Sequence, residues 1–151
     1  MNRILSNEAY GQLASAAYLW IDTKNGKALY SAAGHPPLLR WRHATGKMER
    51  IESNGLLFGI QSDAQYPVRS LAVEAGDRFL LYTDGLVEPE NARGEAFGDQ
   101  QVEKVLRENR SRPASELLEQ LLVGLRKWQA AAVSQQDDIT LIVVDVLLVH
   151  P

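Results

Sequence analysis

Two acidic segments lie far apart in this chain, and each adjoins an apolar run with the pattern of a β-strand. The first is Tyr82-Thr83-Asp84-Gly85, and the second is Gln136-Asp137-Asp138-Ile139-Thr140. Carboxylate oxygens are ligands that Mg²⁺ and Mn²⁺ favour in proteins. Two hard carboxylates held at strand ends are therefore a candidate site for a divalent cation.

The dipeptide Asp84-Gly85 has a second interpretation, because it is also a common hairpin turn. A hairpin needs a return strand at once, whereas Leu86-Val87 runs into Glu88-Pro89-Glu90-Asn91, which is typical of a loop. A carboxylate that ends a central strand, followed by a glycine that lets the backbone approach a ligand, suits a metal site. The residues alone leave both interpretations open.

The adjacent acids Asp137 and Asp138 are ambiguous in another way, since acids before a strand are commonly only solvated. Neighbouring residues at a strand entrance point in opposite directions. One of the two could therefore bind a cation while the other bonds backbone or supports the first. The residues do not say which acid has which role.

The elements that would position these acids begin with a meander of six strands. Asn25-Gly26 predicts the first hairpin turn, because this pair readily adopts positive φ angles. Alternation of apolar and polar residues predicts the strands, and the last is apolar enough to be central. The predicted strands are residues 16–21, 27–31, 37–42, 47–51, 68–73 and 78–82.

After Gly98 the spacing of apolar residues changes to that of a helix, with Val102, Val105 and Leu106 on one face. A second helix is predicted from Pro113 to Trp128. Because glycine is a poor helix former, we expect that close packing requires Gly124 inside this helix. Residues 139–149 are rich in β-branched side chains and predict a buried closing strand. Strands, two helices and a strand together predict an α+β antiparallel architecture.

The composition and charge of the chain exclude several classes of function. A chain of 151 residues with 45% hydrophobic content fits one globular domain, and the absence of cysteine excludes a thiolate nucleophile within it. Residues 1–60 carry seven Lys/Arg and four Asp/Glu, and the rest carry nine and fifteen. This acidic second part argues against nucleic-acid binding. The longest apolar run is too short to span a bilayer, and residues 1–10 lack the pattern of a signal peptide, so neither membrane contact nor export is expected. Because the chain has no cysteine for disulfides, we expect a cytoplasmic protein.

Several other polar residues have ordinary interpretations. His35 in Gly34-His35-Pro36-Pro37 could be a general acid or a ligand, but a turn residue is the preferred interpretation. Arg40 and Arg42 could hold a phosphate, and an outward strand face explains them equally well. The acids Glu88, Glu90 and Asp99 are expected to be solvated.

Four motifs occur in a characteristic order: Gly34-His35-Pro36-Pro37, Leu57-Phe58-Gly59-Ile60, Thr83-Asp84-Gly85 and Asp137-Asp138. This order resembles the bacterial SpoIIE-like branch of the metal-dependent (PPM, type 2C) serine/threonine protein phosphatases, over about residues 1–145. The resemblance implies a PPM-like antiparallel β-sandwich flanked by helices. Residues 1–151 would be a single partial domain, the C-terminal portion, without the family's N-terminal strands and first helix.

The resemblance also implies a site and a reaction. Asp84 and Asp137 would be metal ligands, Gly85 would contribute through its backbone, and Asp138 would support the ligands. The family's complete site holds two Mn²⁺ or Mg²⁺ ions and hydrolyses phosphoserine or phosphothreonine with a metal-bound hydroxide, without further catalytic residues. The implied partner is a phosphorylated regulatory protein of the anti-sigma-factor antagonist type, in a partner-switching pathway.

Two other classes of function remain as alternatives. Full-length relatives carry a bridging aspartate in the N-terminal segment that this chain is expected to lack. The chain could then be a catalytically incomplete fragment or pseudo-phosphatase that binds a regulatory partner. Its unpaired sheet edges could be satisfied by a homodimer. A structural α+β module without a metal is the third alternative.

Overall fold

The computed structural model describes residues 2, 13–52, 55–129 and 137–147. These residues form two antiparallel sheets and two helices. The strands are β1 Ala16–Asp22, β2 Lys27–Ala33, β3 Leu38–Arg42, β4 Lys47–Ile51, β5 Arg69–Ala72, β6 Arg78–Tyr82 and β7 Leu141–Asp145. The helices are α1 Gly98–Glu108 and α2 Ala114–Trp128. The predicted α+β antiparallel architecture is confirmed.

The three-stranded sheet has the order β1-β2-β5 and begins with the predicted hairpin. Asp22 pairs with Lys27 at the end of this hairpin, and Gly26 has a φ of 60° in the turn between them. The Asp22 carboxylate accepts the N–H groups of Lys24 and Asn25. These bonds satisfy backbone donors that the turn would otherwise leave to solvent.

The four-stranded sheet has the order β4-β3-β6-β7, so β6 is central as predicted. Phe79, Leu80 and Tyr82 on β6 are almost completely buried, because β6 has a strand on each side and a packed layer on each face. The antiparallel register pairs Tyr82 with Leu141. This pairing brings the end of β6 and the beginning of β7 to the same edge of the sheet.

The prediction of a continuous meander was wrong at three steps, because β2 does not pair with β3, and β5 pairs with β2 and not with β4 or β6. The turn before β6 therefore crosses from one sheet to the other. The Asp77 carboxylate holds this crossover by accepting the N–H groups of Glu74 and His43, at 3.0 and 2.9 Å. The predicted strand bounds, 68–73 and 78–82, place a turn here correctly, but the sequence of a turn contains no information about the partner of each strand.

Among the described residues, the closing strand is also shorter and less buried than the sequence predicted. Only Leu141–Asp145 is a strand, it lies at an edge of the described sheet, and the Ile142 side chain is half exposed. Residues 148–149 of the predicted strand lie outside the described residues.

Two apolar cores define three layers. Leu80, Tyr82 and Leu86 pack beneath the two helices. Ala28, Tyr30, Leu38 and Phe79 pack between the two sheets. The four-stranded sheet is thus covered by helices on one face and by the second sheet on the other, and this fixes the ends of β6 and β7.

Candidate metal site

The first acidic segment is positioned by β6. After Tyr82 the chain leaves the sheet and forms a short 3-10 turn at Asp84–Leu86. Leu86 is completely buried and anchors this turn in the helix-covered core, whereas the Asp84 side chain is exposed. The carboxylate is therefore presented to solvent from a fixed backbone.

The second acidic segment is positioned by β7. The Thr83 N–H donates to the Thr140 carbonyl at 3.1 Å, which continues the ladder by one pair beyond Tyr82 and Leu141. Asp137 and Asp138 precede this pair and are exposed. The antiparallel register thus places both acidic segments at one edge of the sheet.

Gly85 brings the two segments into direct contact. A β-carbon at position 85 would lie 2.5 Å from the Asp138 carbonyl oxygen and 3.2 Å from that of Asp137. Only glycine permits backbones to approach this closely. All four residues predicted for the site, Asp84, Gly85, Asp137 and Asp138, are therefore neighbours, and their role as metal ligands or supports stays a prediction.

Each of two carboxylates also accepts a local backbone donor. Asp84 Oδ1 accepts the Gly85 N–H at 3.1 Å, and Asp137 Oδ1 accepts the Asp138 N–H at 2.7 Å. A carboxylate can accept several bonds at once, so these contacts orient the groups without using all their lone pairs.

The donor set fits Mg²⁺ or Mn²⁺. Both cations favour oxygen ligands, and Mg²⁺ commonly binds one or two carboxylates while retaining several waters. Within the part of the chain that the structure describes, no group of three or more His, Cys, Asp or Glu side chains is arranged for a metal. Asp84 and Asp137 would therefore supply only part of a coordination shell, and the remaining ligands would be waters, substrate oxygens or groups beyond these residues.

The interpretation of His35 as a turn residue agrees with its surroundings. Its ring Nδ1 lies 3.0 Å from the Pro36 carbonyl oxygen, and the side chain is half-buried. Gly34 has a φ of 56°, and a β-carbon there would lie 2.5 Å from Leu57 Cγ. The two upstream motifs thus pack against each other as structural elements.

Both interpretations of Arg40 were wrong, because it is neither outward nor available to a phosphate. Its side chain is buried, contacts Asp77 at 2.5 Å and also bonds the Ala72 carbonyl. Burial alone would raise the pKa of Asp77, but hydrogen bonds from Arg40, Glu74 and His43 outweigh burial and lower it. Arg40 thus ties β3 to the crossover at the end of β6 opposite Asp84.

Asp99 is not merely solvated, as the sequence suggested. Its carboxylate accepts the Tyr82 hydroxyl at 2.6 Å and pairs with Arg50 at 2.6 Å. Burial is the main cause that raises the pKa of Tyr82, and the hydrogen bond to Asp99 raises it further. Glu88 and Glu90 are exposed as expected. The network joins β4, α1 and β6 two residues before Asp84.

Sequence reasoning assigned no role to Thr83, which joins the two acidic segments. Its hydroxyl accepts the Thr140 N–H at 2.9 Å and donates to the Asp138 carbonyl at 3.2 Å. The available signal was a hydroxyl residue between the predicted end of a central strand and a candidate ligand.

Solved structures identify the class of fold. The chain is similar to the SiaA-PP2C domain of Pseudomonas aeruginosa, with a TM-score of 0.81 and 20% identity, covering 95% of this chain and 57% of that chain. It is also similar to the catalytic domain of the phosphatase PstP in complex with two manganese ions. That similarity has a TM-score of 0.62 and 17% identity, and covers 97% of this chain and 65% of that one. The fold is that of a PPM-type phosphatase domain.

The family model described as Stage II sporulation protein E (SpoIIE) matches residues 1–147. This chain therefore belongs to the SpoIIE family. It is 30% identical to the phosphoserine phosphatase RsbP of Bacillus subtilis over 93% of this chain and 33% of that protein. It is likewise 30% identical to Protein IcfG of Synechocystis over 89% of this chain and 21% of that protein.

The chain thus spans between about a fifth and a third of the length of these two relatives. Neither described helix is long and apolar enough to cross a membrane.

Proposed function

We propose that this chain carries one side of the metal site of a protein phosphatase that hydrolyses phosphoserine or phosphothreonine on a regulatory protein. The observation that carries the proposal is the contact between the two acidic segments, where Gly85 lies against the backbone of Asp137 and Asp138. Two exposed carboxylates at one sheet edge, one held by the buried strand β6 and one by the edge strand β7, would form a preorganised half-site for a hard cation.

Each residue has a distinct role in this proposal. Asp84 and Asp137 would hold Mg²⁺ or Mn²⁺, Gly85 would approach through its backbone, and Asp138 would support Asp137. A bound divalent cation of this kind polarises phosphoryl oxygens and activates water. The chain itself supplies fixed oxygen donors and, having no cysteine, no thiolate nucleophile.

The substrate class is supported by the relatives. RsbP and RsbU of Bacillus subtilis are both named phosphoserine phosphatases. We extend this class to a small phosphorylated regulatory protein of the anti-sigma-factor antagonist type. Because the donors are exposed, the site is open to a phosphate on a protein surface and not only to a small buried ligand.

The test is Mn²⁺-dependent phosphate release from a phosphoserine peptide. The variants are Asp84→Asn and Asp137→Asn, and Asp63→Asn is the matched control because Asp63 is an exposed loop carboxylate outside the acidic segments. Turnover by the unaltered chain that is lost in both site variants and kept in the control supports the proposal. Equal turnover in all four proteins contradicts the assigned ligands.

A second candidate function is a non-catalytic module that binds a partner through β7, and the position of this strand favours it. Leu141–Asp145 is an apolar strand at an edge of the described sheet. Edges of this kind can pair with another chain, including a second copy. The alternative predicts a dimer in sedimentation that Ile142→Lys converts to a monomer, together with no phosphate release.

A further inference from the structure

Thr83 makes an unusual exchange of hydrogen bonds at the end of the β6–β7 ladder. Its N–H donates to the Thr140 carbonyl, as expected for a hydrogen-bonded antiparallel pair. In such a pair the Thr140 N–H would return to the Thr83 carbonyl. Here it donates instead to the Thr83 hydroxyl, at 2.9 Å.

The exchange frees the Thr83 carbonyl for another partner. That carbonyl accepts the Leu86 N–H at 3.1 Å, which closes the short turn that presents Asp84. The side chain thus replaces the backbone in the ladder, so the chain can leave the sheet while the segment before β7 stays attached.

The same hydroxyl reaches the residue that adjoins Gly85. It donates to the Asp138 carbonyl at 3.2 Å while accepting the Thr140 N–H. A hydroxyl can donate and accept at the same time, whereas the methyl group of valine can do neither. Thr83 therefore bonds the second acidic segment at two backbone positions.

We infer that Thr83 is a positioning residue that sets the spacing between the Asp84 and Asp137 carboxylates. Each carboxylate is oriented by the backbone of the residue after it. Their relative position consequently depends on how the two backbone segments are joined, and the Thr83 side chain joins them. Gly85 permits the close approach, and Thr83 fixes it. This inference rests on the proposed metal site.

The test compares Mn²⁺ affinity, measured by calorimetry, in the 151-residue chain and in Thr83→Val, Thr83→Ser and Thr23→Val. Thr83→Val removes the hydroxyl at nearly constant shape, Thr83→Ser keeps it, and Thr23→Val removes one from an exposed turn. We expect Thr83→Val to weaken binding about tenfold, as loss of a supporting contact does, with the other two within about twofold. Unchanged affinity in Thr83→Val overturns the inference.

A core variant separates positioning from stability. Val73→Ala lowers the unfolding midpoint by shortening a buried side chain in the core between the two sheets, which does not include Leu86. It should leave Mn²⁺ affinity unchanged even where its midpoint falls as far as that of Thr83→Val. If Val73→Ala weakens Mn²⁺ binding equally, the effect of Thr83 is only structural and the inference fails.

The outcomes also separate the inference from the proposed function. If Asp84→Asn and Asp137→Asn abolish Mn²⁺ binding while Thr83→Val does not weaken it, the site stands and the role of Thr83 is rejected. If the unaltered chain binds no Mn²⁺, or both aspartate variants bind it normally, the metal site and the role of Thr83 are rejected together.

Discussion

Gly85 and Asp138 approach so closely that a β-carbon at position 85 would lie 2.5 Å from the Asp138 carbonyl oxygen. These residues are distant in sequence and belong to the segments that end β6 and precede β7. Their contact makes one local site out of two separate acidic motifs, and it depends on the absence of a side chain at one position.

Gly85→Ala is therefore expected to disturb the site. The new methyl group would force the two backbones apart, at a cost of about 2 kcal/mol typical of overpacking. Both the Mn²⁺ affinity, measured by calorimetry, and the free energy of unfolding, measured with urea, should fall. The matched control is Gly124→Ala, because a β-carbon at position 124 meets its nearest neighbours at 3.6 Å. Wild-type affinity in Gly85→Ala would show that the close approach is dispensable.

The adjacent acids Asp137 and Asp138 are expected to differ in their effect on metal binding. Asp137→Asn should abolish measurable Mn²⁺ binding if Asp137 is the ligand, whereas Asp138→Asn should weaken it by about tenfold, as for a supporting contact. Paramagnetic resonance of free Mn²⁺ measures both affinities. The reverse order of effects would exchange the two assignments.

Asp77→Asn is expected to destabilise the fold by about 3 kcal/mol, because it leaves the buried Arg40 guanidinium without its main counter-charge. Urea unfolding at neutral pH measures this difference. Glu49→Gln is the control, since Glu49 lies 3.4 Å from Arg40 but its side chain is 37% exposed. A loss no larger than that of the control would mean that the Arg40–Asp77 pair contributes little.

The stability that Asp77 contributes should also depend on pH. Its pKa is lower in the folded state than in the unfolded chain, where an aspartate has a pKa of about 3.9. The contribution is therefore complete above about pH 4 and is lost as the pH falls toward the folded pKa. Unfolding from pH 7 to pH 2 should show the wild type losing its advantage over Asp77→Asn only at the acidic end. A constant difference over this range would contradict the prediction.

Gly124→Ala is expected to stabilise the protein by about 1 kcal/mol, since Gly124 lies inside α2 and glycine is a poor helix former. A β-carbon there would contact Phe97 and Val105 at ordinary van der Waals distance. The sequence predicted a packing reason for this glycine, but the neighbours leave room for a methyl group. A rise of about 3 °C in the unfolding midpoint is expected for a chain of this size. A lower midpoint would mean that the helices cannot accommodate it.

The sequence was most informative where the signal is local. Asn25-Gly26 predicted the first hairpin, and apolar spacing predicted the start of the first helix and both ends of the second to within about a residue. It was least informative about which strands pair. The turn before Asp77 has the same chemistry whether it joins neighbours in one sheet or crosses between two.

The same distinction applies to the site. Asp84 and Asp137 could be proposed from their strand ends and from the family resemblance, and the register of β6 and β7 brings them together. Arg40 and Asp99 were misjudged because their partners, Asp77 and Tyr82, are 37 and 17 residues away in sequence. Thr83 was missed because a side chain that replaces a backbone carbonyl leaves no periodic signal.

The register that aligns Thr83 with Thr140 also divides the amides of β7 into two sets with different exchange behaviour. Hydrogen-bonded pairs recur at every second residue, so the N–H groups of Ile142 and Val144 point toward β6. Those of Leu141, Val143 and Asp145 point away from β6, toward the edge of the described sheet. Deuterium should therefore label β7 in an alternating pattern, and slow labelling of the outward set would reveal a strand bound at that edge in solution.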